Sequence, residues 1–378
     1  MSERQIPLVD LAAAHAEVAD EIAAGFARVL AATAFVGGEE VAAFEREYAA
    51  FAGVDHCVGV ANGTDALELA LRASGVRAGH EVALPANTFI ATAGAVARIG
   101  ARPVLVDCDP DTLLIDPERA LDAVGPATRA VVPVHLYGQC ADTAVLAAGV
   151  PEWVRLVEDA AQSQGATRDG RSPGRGSIAA TSFYPGKNLG AYGDAGAVLT
   201  DDAEAAGLVR ALANHGGTAK YRHDVAGFNS RLDGLQAVVL RAKLARLAAG
   251  NAARRAAAAR YDALLGAAAS AGRLVLPVTA PGNTHVWHLY VVRLGAGGVD
   301  GADRDAVVGK LNAEGVGAGV HYPVPVHLTG AFAHLGHRRG DFPHAEAAAG
   351  RMLSLPLFPQ ITERQQQRVV DALVGALG

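Results

Sequence analysis

A single lysine, Lys187, lies in a glycine-rich segment that could hold a reactive amine beside a bound molecule. The segment 181–196 also contains a serine and two tyrosines, and it connects two apolar runs, 178–183 and 195–200, that are predicted strands. Glycine allows positive φ and close approach of the backbone to a ligand. A partly desolvated lysine loses some preference for its charged form, which suits a residue that forms an imine. The alternative is an ordinary surface turn with a solvated lysine.

An acidic residue, Asp159, follows the apolar run 154–157, which is a predicted buried strand. Burying a carboxylate is costly unless a cation lies beside it, and a protonated pyridine nitrogen would be such a cation. Gln162, three residues later, could donate a hydrogen bond to an oxygen on the same ring. The alternative role for Asp159 is to cap the N-terminus of a helix.

A turn after the first predicted strand could bind a phosphate. It contains Asn62, Gly63, Thr64 and Asp65 at the start of a predicted helix, where free backbone N–H groups bind anions and a threonine hydroxyl can add a bond. Ser182, just before Lys187 and its glycines, is placed to bind the same phosphate. The alternative is a simple helix cap by Thr64 or Asp65.

Phe89 supplies an aromatic face after the predicted strand 81–84, although ordinary core packing is the alternative for this residue. Ligands of parallel α/β sheets bind at the carboxyl ends of the strands, where these residues would meet. A phosphate site, an aromatic face, a carboxylate and an amine together match pyridoxal phosphate. The sequence has no G-x-G-x-x-G fingerprint after the first strand, which argues against a nicotinamide cofactor site. It also has no Walker loop, which argues against a nucleoside triphosphate site.

The elements that would position these residues alternate between strands and helices. Such repeated units predict an α/β fold with a mainly parallel sheet covered on both faces. The predicted strands of the sheet are 56–61, 81–84, 103–106, 130–134, 154–157, 178–183 and 195–200.

After this sheet, a long helix is predicted over 232–265, followed by a small α+β domain. We therefore expect a large domain over residues 1–250 and a small C-terminal domain over 251–378. The predicted elements of the small domain are strands at 286–294 and 316–320 and helices at 304–313 and 362–377.

Composition excludes several other classes of protein. The net charge of −6 provides no basic surface for nucleic acid, and no apolar run approaches the length of a membrane span. We expect no signal peptide at the start of the sequence. We also expect no metal site, because the histidines between 288 and 344 do not repeat a ligand spacing. Three scattered cysteines, Cys57, Cys108 and Cys140, favour reduced thiols in a cytoplasmic protein.

Four motifs in this chain resemble those of the DegT–DnrJ–StrS family of sugar-nucleotide aminotransferases, which are fold type I pyridoxal phosphate enzymes. The likeness extends from residue 61 to residue 323. The motifs are Ala-Asn-Gly-Thr-Asp-Ala-Leu at 61–67, Glu-Asp-Ala-Ala-Gln at 158–162, Ser-Phe-Tyr-Pro-Gly-Lys-Asn-Leu-Gly at 182–190 and Gly-Phe-Asn-Ser-Arg-Leu-Asp at 227–233.

The resemblance implies a role for each matching residue. Lys187 would bind the cofactor covalently and, with Asp159 at the pyridine nitrogen, would be catalytic. The other cofactor contacts would be Gln162 at the ring hydroxyl, Phe89 stacked on the ring, and Gly63, Thr64 and Ser182 at the phosphate. In this family an asparagine of the neighbouring subunit completes the phosphate site. Asn229 matches it, so a homodimer with shared active sites is implied.

Within the family, the chain is similar to enzymes that aminate carbon 3 of a dTDP-linked 3-keto-6-deoxy sugar in amino-deoxysugar and antibiotic biosynthesis. Glutamate or glutamine would be the amino donor. Tyr184, Tyr221, His321 and Tyr322 would line the sugar pocket, and Lys220 could meet the nucleotide diphosphate. The alternatives are a carbon-4 keto-sugar or keto-cyclitol aminotransferase, a dehydratase, and a non-catalytic regulator that binds the cofactor or sugar. Some dehydratases of the family have histidine at the lysine position, so Lys187 favours transamination.

Overall fold

The computed structural model describes residues 5–295 and 301–378, and helices alternate with strands over most of this length. The expectation of no signal peptide concerns the start of the chain, where residues 1–4 lie outside the described part. No helix in the described part is both long and apolar enough to span a membrane.

Helices occupy most of each of the three segments predicted to be helical, 232–265, 304–313 and 362–377. Three short 3-10 helices occur at Leu136–Gly138, Val326–Leu328 and Gly330–Leu335. The α-helices are α1 (Leu11–Ala16), α2 (Ala19–Ala32), α3 (Glu39–Ala52), α4 (Gly63–Ala73), α5 (Ile90–Arg98), α6 (Pro117–Asp122), α7 (Thr143–Gly149), α8 (Ala203–Ala213), α9 (Gly234–Ser270), α10 (Gly301–Ala313), α11 (Pro343–Arg351) and α12 (Glu363–Leu377).

The strands are short and mostly apolar. They are β1 (His56–Val60), β2 (Glu81–Pro85), β3 (Arg102–Val106), β4 (Thr128–Val131), β5 (Arg155–Asp159), β6 (Thr167–Arg168), β7 (Ile178–Ser182), β8 (Gly196–Thr200), β9 (Gly217–Ala219), β10 (Arg222–His223), β11 (Leu274–Val275), β12 (Asn283–Thr284), β13 (Tyr290–Leu294) and β14 (Met352–Leu355).

Seven strands form the main sheet in the order β1-β8-β7-β5-β4-β2-β3. The pairs among β7, β5, β4, β2 and β3 are parallel, whereas β8 is antiparallel to both of its neighbours, β1 and β7. The prediction of a mainly parallel α/β sheet is therefore confirmed. Every strand except β8 ends at the same edge, so the residues that follow β1, β2, β5 and β7 gather there.

Gly196, the first residue of β8, brings the ends of β1 and β7 together. It pairs with Val60 on one side and with Ser182 on the other. A Cβ atom at Gly196 would lie 2.5 Å from the backbone carbonyl group of Asn62. Glycine at this position therefore allows the turn after β1 to lie against the end of β7.

A second, three-stranded sheet has the order β11-β13-β14, and both of its strand pairs are antiparallel. Its core contains residues from α10, α12 and the C-terminal half of α9, among them Tyr261, Leu311 and Leu373. The N-terminal half of α9 packs with Leu240 and Leu244 in a core beneath the main sheet. The division into domains at residues 250 and 251 stays a prediction, because α9 is continuous across that point.

One prediction in the C-terminal part is wrong, and one strand there was not predicted. The segment 316–320 forms no strand: Val316 has an isolated bridge to Ile6, and Gly319 has one to Ser354. The bridge at Gly319 leads to β14, a strand that the sequence did not predict and that directly follows α11. Pairing with residues far along the chain decides these elements, and periodicity within one segment does not contain that information.

Candidate active site

A cavity of about 600 Å³ lies at the carboxyl edge of the main sheet. Ten of the thirteen predicted site residues line it, and they lie at or after the ends of strands β1, β2, β5 and β7 or in the segment after α10. These are Gly63, Thr64, Phe89, Asp159, Gln162, Ser182, Tyr184, Lys187, His321 and Tyr322.

Asp159 is the last residue of β5, and its carboxylate is buried and held by two hydrogen bonds. One oxygen accepts from the Thr92 hydroxyl at 2.8 Å, and the other accepts from the Ala161 N–H at 3.1 Å. Since Thr92 donates to Asp159, the Thr88 hydroxyl, 2.8 Å away, donates to Thr92. These bonds fix the carboxylate at the cavity wall and leave each oxygen able to accept from a bound ring.

Gln162 joins two walls of the cavity. Its Oε1 accepts from the Tyr137 N–H at 2.6 Å, and its Nε2 donates to the Tyr322 hydroxyl at 3.0 Å. The Tyr137 hydroxyl in turn donates to the His321 carbonyl. The segment around Tyr322 is thereby tied to the end of β5.

The N-terminus of α4 provides a ready anion site. Asn62 is the N-cap, and its side chain accepts from the Asp65 N–H at 2.8 Å. Within the described residues, no acceptor takes the N–H groups of Gly63 and Thr64. The cap is therefore Asn62 and neither of the two residues that the sequence left as alternatives, Thr64 and Asp65.

Ser182 lies directly across from this helix N-terminus. A Cβ atom at Gly63 would lie 2.5 Å from the Ser182 Cβ, so only glycine fits between them. The Ser182 Oγ accepts from the Tyr184 N–H at 3.3 Å, which leaves its own proton available to a ligand. Two backbone N–H groups and one hydroxyl thus converge on a space that suits a phosphate.

The Lys187 residue as a whole is partly exposed, but its side-chain amine is buried at the cavity wall. Burial lowers the pKa of Lys187 to about 8, although the negative charge of Asp159 opposes this shift. A substantial fraction of the amine is therefore neutral near pH 8, as a nucleophile or proton acceptor requires. The interpretation of Lys187 as a fully solvated surface lysine does not fit this environment.

These residues fit pyridoxal phosphate without conflict. The anion site at α4 can take the phosphate, the Asp159 carboxylate can take a ring N–H, and the Lys187 amine can reach an aldehyde in the same cavity. The exposed Phe89 ring lies 5.2 Å from the Tyr322 ring, with 36° between their planes, and both border this space.

His321 and Tyr184 lie at other parts of the cavity wall. The His321 Nδ1 is 2.8 Å from the Ser354 hydroxyl, and burial together with the charge of Lys187 lowers the pKa of His321 to about 4. Tyr184 is 59% exposed at the cavity rim. His321 is therefore a neutral, fixed side chain, while Tyr184 is free to meet a large ligand.

Three predicted site residues lie away from the cavity of their own chain. Lys220 and Tyr221 belong to the hairpin of β9 and β10, where Tyr221 is 87% exposed and its ring centroid is 5.3 Å from the Lys220 amine. Asn229 is exposed on the strand-like segment that bridges to Asn214. None of these three residues lines the cavity of its own chain.

Sequence reasoning missed three residues of the site. Thr92 lies one helical turn after Thr88, a spacing that could have indicated a shared polar face. Tyr137 contributes through its backbone N–H, and His288 lies just before β13, far along the sequence from Lys187. Neither residue therefore has a local sequence pattern that indicates a place in the site. In residues 5–295 and 301–378 no group of three metal-binding side chains occurs.

Comparison with known proteins matches residues 16–374 to the DegT/DnrJ/EryC1/StrS aminotransferase family. The dTDP-3-amino-3,4,6-trideoxy-alpha-D-glucose transaminase of Streptomyces venezuelae is 46% identical over 371 residues, which cover 98% of this chain and 95% of that protein. The UDP-N-acetyl-3-dehydro-alpha-D-glucosamine 3-aminotransferase of Acidithiobacillus ferrooxidans is 44% identical, with 97% of each chain covered.

Solved structures agree with this match. The crystal structure of S. venezuelae DesV in complex with a ketimine intermediate has a TM-score of 0.93 and 45% identity, and 98% of each chain is covered. NtdA from Bacillus subtilis, solved with bound cofactor PMP, has a TM-score of 0.90 and 31% identity over 100% of this chain and 86% of that chain. The likeness therefore extends over both sheets and both cores.

Proposed function

The chain belongs to the DegT/DnrJ/EryC1/StrS aminotransferase family, and we propose that it aminates carbon 3 of a dTDP-linked 3-keto-6-deoxy sugar. The amino donor in this proposal is glutamate or glutamine. The chain is a pyridoxal phosphate-dependent aminotransferase of fold type I. The observation that carries the site assignment is the meeting of the Lys187 amine, the Asp159 carboxylate and the α4 N-terminus in one cavity.

In this proposal each residue has one task. Bound pyridoxal phosphate supplies an electron sink for the carbon from which a proton is removed. The N–H groups of Gly63 and Thr64 and the Ser182 hydroxyl bind the phosphate, while Phe89 and Gln162 contact the ring. Asp159 holds a proton at the pyridine nitrogen, because a buried carboxylate favours a cation beside it.

Lys187 is the proton carrier in the proposal. Its amine is close to neutral at the pH of the reaction, since its pKa is about 8. Its Nζ can therefore take the proton from the α-carbon of the amino donor and then give that proton up at a second carbon of the bound reactants. In the second half of the reaction the same amine works in the opposite direction, and the two half-reactions give ping-pong kinetics.

A panel of keto substrates tests the choice of acceptor. The dTDP-linked 3-keto-6-deoxy sugar should have a kcat/KM at least about tenfold above those of a dTDP-linked 4-keto sugar and a keto-cyclitol, because an oxygen at the wrong carbon misplaces the reacting atom. A UDP-linked 3-keto sugar serves as the control for the nucleotide. Steady-state kinetics give kcat/KM for each acceptor, with glutamate and with glutamine as the donor. Faster turnover of the 4-keto sugar or the cyclitol would overturn the assignment.

A non-catalytic regulator is the alternative from another class. Single-turnover conversion of the bound cofactor to its amine form by glutamate separates the two, since a binding module has no need for a reactive amine. We expect full conversion within the mixing time of a manual assay.

We also propose a homodimer in which each chain completes the site of its partner. The support is the exposure of Lys220, Tyr221 and Asn229 away from the cavity of their own chain. In this arrangement Asn229 of the partner subunit contacts the phosphate, and the hairpin of β9 and β10 approaches the sugar nucleotide. A cytoplasmic location is proposed on the buried, unpaired state of all three cysteines.

Mixing two inactive variants tests the shared site. Dimers of Lys187→Ala and dimers of Asn229→Asp should each be inactive, while refolded mixtures regain about a quarter of wild-type activity, since half of the dimers are mixed and each has one intact site. The matched control mixes Lys187→Ala with Asp159→Asn, whose altered residues both belong to the same cavity wall. That mixture should regain no activity, because each site of its mixed dimers contains one of the two altered residues.

A further inference from the structure

A directed chain of hydrogen bonds runs behind Lys187 from the end of β5 to the ring of His288. The Asn251 Nδ2 donates to the Gln164 carbonyl at 2.9 Å, and the Asn251 Oδ1 accepts from the Asn188 Nδ2 at 3.0 Å. The Asn188 Oδ1 then lies 3.3 Å from the His288 Nδ1. This chain connects α9, the Lys187 segment and the start of β13.

The direction of the chain is fixed by backbone carbonyls, which can only accept. The Asn188 Nδ2 also donates to the Val286 carbonyl at 2.9 Å, so the amide nitrogen of Asn188 must face away from His288. The Asn188 Oδ1 has no proton to give. The Nδ1 of His288 must therefore carry the proton of this contact.

His288 is a neutral ring in this setting. It is buried, and this burial, together with the positive charges of Lys187 and Arg254, holds the pKa of His288 well below its usual range. A neutral imidazole with its proton on Nδ1 has an unprotonated Nε2. Among the residues that the structure describes, none forms a hydrogen bond to this Nε2, although the ring lines the same cavity as Lys187.

No hydrogen bond joins the Lys187 amine to His288 in the structure, and we propose that the free amine turns to donate one to the Nε2 of His288, which so positions the amine for proton transfer. A neutral amine that donates one N–H to a fixed acceptor has its lone pair directed elsewhere, here toward the reacting carbon. His288 is a positioning residue in this scheme, and Asn188 and Asn251 set its tautomer. The inference rests on the proposed function of Lys187 as proton carrier.

Several charged groups act on the Lys187 amine together with His288. Asp159 at the end of β5 favours the ammonium form of Lys187, and the Arg254 guanidinium in α9 adds positive charge near His288, while His321 after α10 is a neutral ring. A neutral acceptor also favours the ammonium form, because it accepts more strongly from a charged donor. Removing only this acceptor should therefore lower the pKa of Lys187 relative to that in the wild-type protein.

Two substitutions separate the Nε2 acceptor from the rest of the ring. In His288→Asn the side-chain amide can replace Nδ1 but has nothing at the position of Nε2. In His288→Gln an amide oxygen can reach the position of Nε2. We expect the titration midpoint of Lys187 to fall by about half a pH unit or more in His288→Asn and to stay near the wild-type value in His288→Gln.

The measurement uses cofactor-free protein, in which the acetylation of each lysine is followed across a range of pH by mass spectrometry. Lys243 is an internal reference, because burial also lowers its pKa to about 8 and its amine donates to the Gly190 carbonyl at 2.7 Å. Its midpoint should be the same in all three proteins. A purely structural role of His288 would shift both lysines, or would make the two variants behave alike.

The tautomer is tested without any substitution. In a ¹⁵N-histidine spectrum of the wild-type holoenzyme, the His288 signal should be that of a ring with Nδ1 protonated and Nε2 not. A proton on Nε2, or an unchanged Lys187 midpoint in His288→Asn, overturns the proposal, and the spectrum decides alone if neither variant folds. The labelling needs no substrate, so its outcome is independent of whether the protein aminates a keto sugar.

Discussion

Replacing Lys187 with alanine should lower kcat by about a thousandfold or more and abolish the covalent link to the cofactor. The Lys187 amine is proposed both to hold the cofactor and to carry the proton, and loss of a positioned acid–base group alone costs roughly 10²–10⁴ in rate. Wild-type protein treated with borohydride should retain the cofactor on the peptide that contains Lys187, whereas the variant should release it on denaturation. Absorbance and peptide mass measure the two outcomes.

Lys243→Ala is the matched control for this experiment. Lys243 is the other lysine whose pKa burial lowers to about 8; its amine lies 4.6 Å from the centroid of the Tyr192 ring, and it does not line the 600 Å³ cavity. The control should still show a cofactor that borohydride fixes to the protein. If Lys187→Ala turned over in both half-reactions at near the wild-type rate, Lys187 would not be the proton carrier.

Replacing Asp159 with asparagine should have the second-largest effect, a fall in kcat of about a hundredfold or more, equal to roughly 2.7 kcal/mol. Asparagine has nearly the same shape: its Oδ1 can accept from the Ala161 N–H and its Nδ2 can donate to the Thr92 hydroxyl, so the site should keep its geometry. What is lost is the negative charge that holds a proton on the pyridine nitrogen. Single-turnover rates for each half-reaction, followed by cofactor absorbance, should both fall.

Thr92→Val gives a graded comparison for Asp159. It removes the hydrogen bond of 2.8 Å to the carboxylate but keeps the charge, so we expect a fall of about tenfold. Wild-type rates in Asp159→Asn would show that the ring nitrogen needs no carboxylate here. An effect of Thr92→Val larger than that of Asp159→Asn would show that the position of the carboxylate matters more than its charge.

The sequence was sufficient for most of the main sheet because its strands are apolar runs separated by amphipathic helices. The residues that follow strands β1, β2, β5 and β7 could be placed together without a structure, since parallel strands end at one edge. The prediction extended even to Phe89 and Ser182, which line the cavity together with Asp159. The apolar pattern within each segment, together with the rule that parallel strands end at one edge, was enough to predict these strands and to bring these residues together.

The rest depended on contacts between distant parts of the chain. The strand β14 is four residues long and follows α11 without a turn, so no local signal separates it from the helix. His288 meets Asn188 across 100 positions of sequence, and Tyr137 supports Gln162 through a backbone N–H that no residue type reveals. Lys220, Tyr221 and Asn229 lie outside the cavity of their own chain, and their roles at a ligand stay predictions.

The length of α9 limits how the protein can move. Its 37 residues form one uninterrupted rod of about 55 Å, anchored in the core under the main sheet at one end and in the core of the small sheet at the other. A hinge between the two cores would have to bend this rod, which contains no proline. We therefore expect substrate entry to be gated by the loop around Tyr184 at the cavity rim, with the two cores moving as one piece.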